Sequence, residues 1–201
     1  MKVNVTDSKE DLDTSDLLTS EHEKVIERWN HIEWTVYYGK LAVIVVVTVL
    51  FLRFAIINTI VASGSMEPTL MTGNFAIYNQ LAYKLHEVER GDIILFWYEE
   101  KELDLAKRVI GIPGDKIEFL DGYVYINGTR LDESSYLEEE GLTFAFRSFD
   151  VPEGCVFVMG DNRIPSYDSR FWENPYVPID TIKGKLIFTV PNPFWKESKN
   201  E

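Results

Sequence analysis

The sequence predicts a mainly β protein, an antiparallel β domain hung from a single N-terminal transmembrane helix, and three observations lead there. Residues 36–57 form one long, dominantly apolar stretch. From Phe75 onward the hydrophobic residues come in short runs that alternate with polar ones, the period of a strand with one face buried. Between those runs stand Asp121-Gly122 and Asn127-Gly128, the dipeptides that two-residue hairpin turns favour.

Composition narrows the setting. The formal net charge of −13 argues against a nucleic-acid partner, because a phosphate backbone is neutralised by a cationic face. With Cys155 as the one cysteine, no intramolecular disulfide can form, and its position in an apolar run suits a small buried hydrophobe with no assigned chemistry. No metal and no cofactor is expected.

In chain order, residues 1–35 make an acidic tail. Residues 1–33 hold nine acids against four bases, and up to Asp16 almost nothing apolar is present to bury, so that part is expected to be disordered. Ser20 followed by Glu23 resembles a capping box, and Val25, Trp29, Ile32 and Val36 recur at helical spacing, which predicts a short amphipathic helix starting at Ser20. Residues 36–57, the 22 residues from Val36 to Ile57, would reach about 33 Å as a helix, against a hydrocarbon core of about 30 Å. Trp34, Tyr37 and Tyr38 form an aromatic collar at one end, with Lys40 and Arg53 placed to snorkel outward. An acidic leader of this length is the wrong flank for a cleaved signal peptide, so the segment is expected to be an uncleaved anchor in the lipid bilayer. The bases Lys24, Arg28 and Lys40 before it favour a cytoplasmic N-terminus.

Residues 58–201 are expected to be the β domain. Strands are predicted at 75–78, 92–97, 116–120, 123–126, 143–146, 156–159 and 185–190, and the acidic stretch Asp132 to Glu140 is expected to be a solvated loop. Phe96, Trp97 and Tyr98 suit either the bilayer surface or the core.

Just after the anchor comes Ser63-Gly64-Ser65-Met66-Glu67-Pro68-Thr69-Leu70. Gly64 permits a sharp bend and Pro68 stops a helix, so the turn can expose a hydroxyl; a Ser-Gly-Ser alone would be an ordinary loop whose serines bond to nearby backbone. The octapeptide resembles the nucleophile motif of the type I signal peptidases, the Ser/Lys leader peptidases of bacteria. Further blocks resemble that family in order: Gly91-Asp92-Ile93-Ile94, then Lys107-Arg108-Val109-Ile110-Gly111-Ile112-Pro113-Gly114-Asp115, then Gly160-Asp161-Asn162-Arg163 with Ser166-Tyr167-Asp168-Ser169-Arg170.

A serine nucleophile needs a proton acceptor. His22 and His31 precede the anchor, and His86 sits in a polar stretch without a motif, so histidine is a poor candidate. A lysine can serve if burial lowers its pKa, since an ordinary lysine near 10.4 is almost wholly protonated at neutral pH. Outside any motif, Lys107-Arg108 would read as an exposed strand pair, and the guanidinium of Arg108 cannot act as a base. The resemblance implies that Ser65 is the nucleophile and Lys107 the general base, with an oxyanion hole from the Ser65 N–H and the Ser63 hydroxyl. It implies that Ser166 orients the lysine, that Asp168 and Arg170 form a supporting ion pair, and that Asp161 belongs to the same network. It also implies a small inserted β subdomain near residues 116–152. Ile164-Pro165 departs from the family's polar pair and leaves the path of the chain to Ser166 open.

The function implied is removal of N-terminal signal peptides from exported preproteins, near the secretion translocon, by a single-pass protein whose catalytic domain lies outside the cytoplasm. The Ser/His signal peptidases share a similar serine turn but would carry His-Arg where this chain has Lys107-Arg108. A self-cleaving Ser/Lys repressor should be soluble with a DNA-binding head, and a catalytically dead chaperone need not retain Ser65 and Lys107.

Overall fold

The computed structural model describes residues 10–195 apart from 138 and 140, and the first nine residues of the tail lie outside it. Residues 1–52 and 53–201 form separate compact units. The described part of the first lies in one continuous helix, α1 (Glu10–Ala55), whose last three residues are counted with the second unit. Two expectations change here. Residues 10–16 are helical rather than disordered, and Ser20 lies inside the helix rather than capping it. Unbroken 3.6-residue periodicity from Val25 into the apolar run lets propagation carry the helix through, at about one hydrogen bond per residue added. Its part from Glu21 to Ala55 has a mean hydropathy of 2.1 over its most apolar window and is long enough to cross a membrane. The helix stops at Ala55, so Ile56 and Ile57, counted above with the apolar span, belong instead to the first strand.

The second unit is mostly antiparallel β. Its larger sheet has the order β1 (Ile56–Ile60), β2 (Phe75–Asn79), β11 (Ile182–Val190), β3 (Ile93–Tyr98), β4 (Leu103–Gly111), β9 (Cys155–Met159) and β10 (Tyr176–Pro178). The strands flanking β3 and β4 cover both of their edges, and β3 is buried along almost its whole length, which explains its continuous Ile-Ile-Leu-Phe-Trp-Tyr composition. Phe96 and Tyr98 pack with Trp172 in the core, and only Trp97 of that trio is exposed.

A second sheet, in the order β7 (Thr129–Arg130), β6 (Tyr123–Ile126), β5 (Lys116–Leu120) and β8 (Phe149–Asp150), is formed by the chain between β4 and β9, which pair with each other directly. Two-residue turns at Asp121-Gly122 and Asn127-Gly128, all four residues at positive φ, set its register. Ile110, Phe157 and Met159 of the larger sheet pack with Ile117, Val124 and Phe149 of the smaller, so the two sheets share a core. The strand expected at 143–146 is absent: these residues are irregular, with Thr143 buried and Phe146 98% exposed.

Candidate active site

The serine turn is shaped from below. Ser63 is extended, Gly64–Met66 forms one turn of 3-10 helix, and Glu67 returns to an extended conformation ahead of a cis bond to Pro68. Met66 and Leu70 are buried against Ile93, which roots the turn in the sheet and leaves the serines on its upper side. The Glu67 carboxylate accepts from the Thr72 N–H and hydroxyl, closing the loop. From across the fold, Asn162 clamps the turn with its side-chain amide donating to the Gly64 carbonyl at 3.0 Å and its backbone N–H to that of Ser65 at 3.1 Å. The Ser63 and Ser65 hydroxyls are 3.4 Å apart, and among the described residues the Ser65 N–H has no hydrogen-bond acceptor.

Lys107 stands on β4, paired with Ile94, and is only 2% exposed. Its Nζ donates to Ser166 Oγ at 2.9 Å, and Ser166 Oγ donates to Asp168 Oδ2 at 2.7 Å. Asp168 also takes the Gly160 N–H and two guanidinium nitrogens of Arg170, at 2.8 and 2.9 Å. Burial pushes the Lys107 ammonium down from 10.5 to about 8; the Asp168 carboxylate opposes that shift, Arg170 adds to it, and Asp161 opposes it. Nine charged residues are buried among those described, and eight of them are in ion pairs; Lys107 is the exception.

Asp161 lies one step further out. It holds Arg108 through two bonds, at 2.8 and 2.7 Å, and accepts from the Thr69 hydroxyl at 2.6 Å, so it ties the strand of Lys107 to the loop of Ser65. Gly160 is where these parts meet: a Cβ built there would lie 2.3 Å from both Ser166 Oγ and the Ser65 carbonyl oxygen. Ile164 is 75% exposed and Pro165 lines the cavity, and the chain between Arg163 and Ser166 reaches the lysine despite their unusual identity.

Ser63, Ser65 and Lys107 line a common cavity of about 370 Å³. No hydrogen bond joins Ser65 to Lys107 among the described residues. An adjoining groove of about 440 Å³ is floored by Met66, Tyr78, Leu95 and Ala106 and runs past Thr59–Ser65 and Leu103–Ala106. His86 is exposed on the surface and lines neither the cavity nor the groove. No group of three or more His, Cys, Asp or Glu side chains among the described residues is arranged to hold a metal ion.

Several site residues were not singled out by sequence. Asn162 lay inside a quoted motif without a role. Glu133, expected in a solvated acidic loop, is 4% exposed and paired to Arg163 at 2.6 Å, and Tyr136 three residues later packs its ring over Arg108 at 4.1 Å. The apolar Tyr136-Leu137 amid the acids was the available signal.

A serine turn and a buried lysine lining one cavity, beside a groove between strands, suit a peptide-bond hydrolase. Residues 35–191 match the family described as signal peptidase, peptidase S26. The chain is 39% identical to signal peptidase I of Bacillus caldolyticus over 183 residues, covering 85% of this chain and 93% of that one. It is 31% identical to signal peptidase IB of Staphylococcus aureus over 184 residues, covering 84% and 91%. A crystal structure of a signal peptidase I from Enterococcus faecalis is 33% identical, with 51% of this chain and 98% of that one covered and a TM-score of 0.42. The chain belongs to the signal peptidase family, peptidase S26.

Proposed function

We propose that this chain is a membrane-anchored endopeptidase that removes N-terminal signal peptides from exported preproteins through a Ser65/Lys107 dyad. The observation that carries the reading is the isolation of Lys107: a buried amine that makes no ion pair among the described residues, its pKa lowered to about 8, sharing a cavity with Ser65, whose hydroxyl lies 3.4 Å from that of Ser63. A structural lysine at that depth would be expected to have an acidic partner, as the other buried charges have.

Neutral Lys107 takes the Ser65 Oγ proton as that oxygen attacks the scissile carbonyl, and the apo separation between them closes in the substrate complex. The oxyanion is stabilised by the Ser65 N–H and the Ser63 hydroxyl. The Lys107 ammonium then protonates the departing amine, the new N-terminus of the mature protein, and an ester joins Ser65 to the signal peptide. A water that gives its proton to Lys107 cleaves the ester, and that proton returns to Ser65. Ser166 orients the amine, and Asp168, Arg170 and Asp161 hold the frame around it. The groove floored by Ala106 and Leu95 suits small side chains before the cut, with the substrate extended against the flanking strands.

The apolar length of α1 supports anchoring in the bilayer as a single pass, and the basic flank before it supports a cytoplasmic N-terminus, with the β domain outside and near the secretion translocon. The decisive experiment incubates the full chain in detergent with a preprotein and maps the cut by mass spectrometry. Cleavage at the end of the signal peptide that is lost in Ser65→Ala and in Lys107→Ala supports the reading; an active Ser65→Ala protein overturns it.

A further inference from the structure

The loop after β7 is more deeply tied to the site than an acidic connection needs to be. Glu133 and Arg163, 4% and 5% exposed, form a bidentate pair at 2.6 and 3.0 Å, and Arg163 also donates to the Thr143 hydroxyl at 2.7 Å. The remaining guanidinium nitrogen of Arg163, Nε, donates to the Gly160 carbonyl at 3.0 Å. Gly160 is the residue against which Ser166 Oγ and the Ser65 carbonyl are packed, so its backbone position fixes both. Tyr136, in the same loop, donates its hydroxyl to Glu133 at 2.8 Å and lays its ring over Arg108, the neighbour of Lys107 on β4. One loop, between β7 and β8 of the smaller sheet, therefore touches both Arg163, which holds Gly160, and Arg108, the neighbour of Lys107.

We propose that Glu133 and Tyr136 act as a positioning strut for the peptidase reaction, fixing the Gly160–Ser166 loop through Arg163 and the Lys107 strand through Arg108, so that nucleophile and base are held in register. The inference rests on the Ser65/Lys107 reading. Neither residue lines the cavity that holds Ser65 and Lys107, so neither touches the peptide there, and their effect runs through alignment alone. A buried salt bridge is costly to break from one side, since it strands the remaining charge. Glu133→Gln keeps the shape but leaves Arg163 with an uncompensated charge and room to swing away from Gly160. Small misplacements of reacting groups can cost on the order of 100-fold in rate.

The test is steady-state cleavage of a signal-peptide substrate by the full chain in detergent, well below the melting temperature of each variant. Glu133→Gln is expected to lower kcat about 10- to 100-fold with KM within about threefold of wild type. In Tyr136→Leu, which leaves every charge in place, the acidic limb of the pH profile should move upward, because a loosened Ser166 seat lets water reach Lys107 while Asp168, Arg170 and Asp161, the charged groups acting on that amine, remain. Tyr136→Leu should show the same split, and Tyr136→Phe, which keeps the ring over Arg108, should recover most of the lost rate. Should Glu133→Gln fail to fold, the Tyr136 pair carries the test. Wild-type kcat and pH limb in the folded variants, or a rise in KM alone, would overturn the strut while an inactive Ser65→Ala still upheld the dyad. An active Ser65→Ala would instead remove the dyad itself.

Discussion

Lys107 Nζ donates to Ser166 Oγ at 2.9 Å, and because Ser166 spends its own proton on Asp168 at 2.7 Å, it has none left to offer the amine. In the neutral state the lone pair of Lys107 is therefore not consumed by Ser166. Its free direction is the cavity it shares with Ser65. The Asp168–Ser166 relay fixes which way a base can point.

Ser65→Ala and Lys107→Ala are each expected to reduce cleavage to background while leaving the melting curve cooperative. The double variant should be no worse than either single one, since the pair acts as a unit. Lys107→Arg should be equally inactive, because a guanidinium keeps its proton. Strictly multiplicative losses in the double variant would mean that the two residues act in separate steps.

The pH profile follows from the direction of the Lys107 shift. In the proposed mechanism the unprotonated amine is the working form, so kcat/KM should climb as pH rises through about 8, the value to which burial lowers the group. His86→Ala should leave that limb in place, since His86 is a surface residue. A limb near 6.5 that vanishes in His86→Ala would assign the base to histidine.

The same shift has a stability consequence with the opposite beneficiary. A lysine whose folded pKa lies below its unfolded one penalises the fold fully at pH below about 8, and the penalty fades between about 8 and 10.5. Lys107→Met should therefore be the more stable protein near pH 7, by at most about 3 kcal/mol before the lost Ser166 bond is subtracted. Chemical denaturation at pH 7 and pH 10 checks this, and the advantage should shrink at the higher pH.

Gly160→Ala should inactivate the enzyme. The added methyl would be forced against Ser166 Oγ and the Ser65 carbonyl at 2.3 Å, and neither can retreat without moving a functional group. Steady-state kinetics should show the loss in kcat, and a crystal structure of the variant should show Ser166 displaced from Lys107.

Ser63→Ala tests the oxyanion arrangement. Its hydroxyl lies 3.4 Å from that of Ser65, and removing a transition-state donor should cost about 10- to 1,000-fold in kcat with KM little altered. An unchanged kcat would make Ser63 a turn residue only.

Some of this was legible in the chain and some was not, for identifiable reasons. The β5–β6–β7 meander announces itself because Asp121-Gly122 and Asn127-Gly128 each dictate a two-residue turn locally. Strand β4 was not foreseen, because Asp104, Lys107 and Arg108 break its alternation. Their compensation comes from far along the chain, Lys183 for Asp104 and Asp161 for Arg108. Glu133 was hidden the same way: an acid in an acidic run looks solvated until Arg163, thirty positions on, is folded against it. The motifs pointed to Ser63, Ser65, Lys107, Asp161, Ser166, Asp168 and Arg170, which the fold gathers together. The struts between them are pairwise long-range contacts with no local pattern. At the other end of the chain, the amphipathic and apolar stretches differ in composition but not in period, so no boundary between them exists in α1.

The cancellation of buried charges in pairs also sets how this enzyme will respond to ionic strength. Mobile ions screen exposed charges over about 10 Å at 0.1 M but penetrate little into a packed interior. Arg108 with Asp161, Arg163 with Glu133 and Arg170 with Asp168 are buried pairs that neutralise each other, whereas the chain as a whole carries a formal charge of −13. Added salt should thus alter how fast a charged preprotein finds the surface, and leave the chemical step and its pH limb nearly untouched.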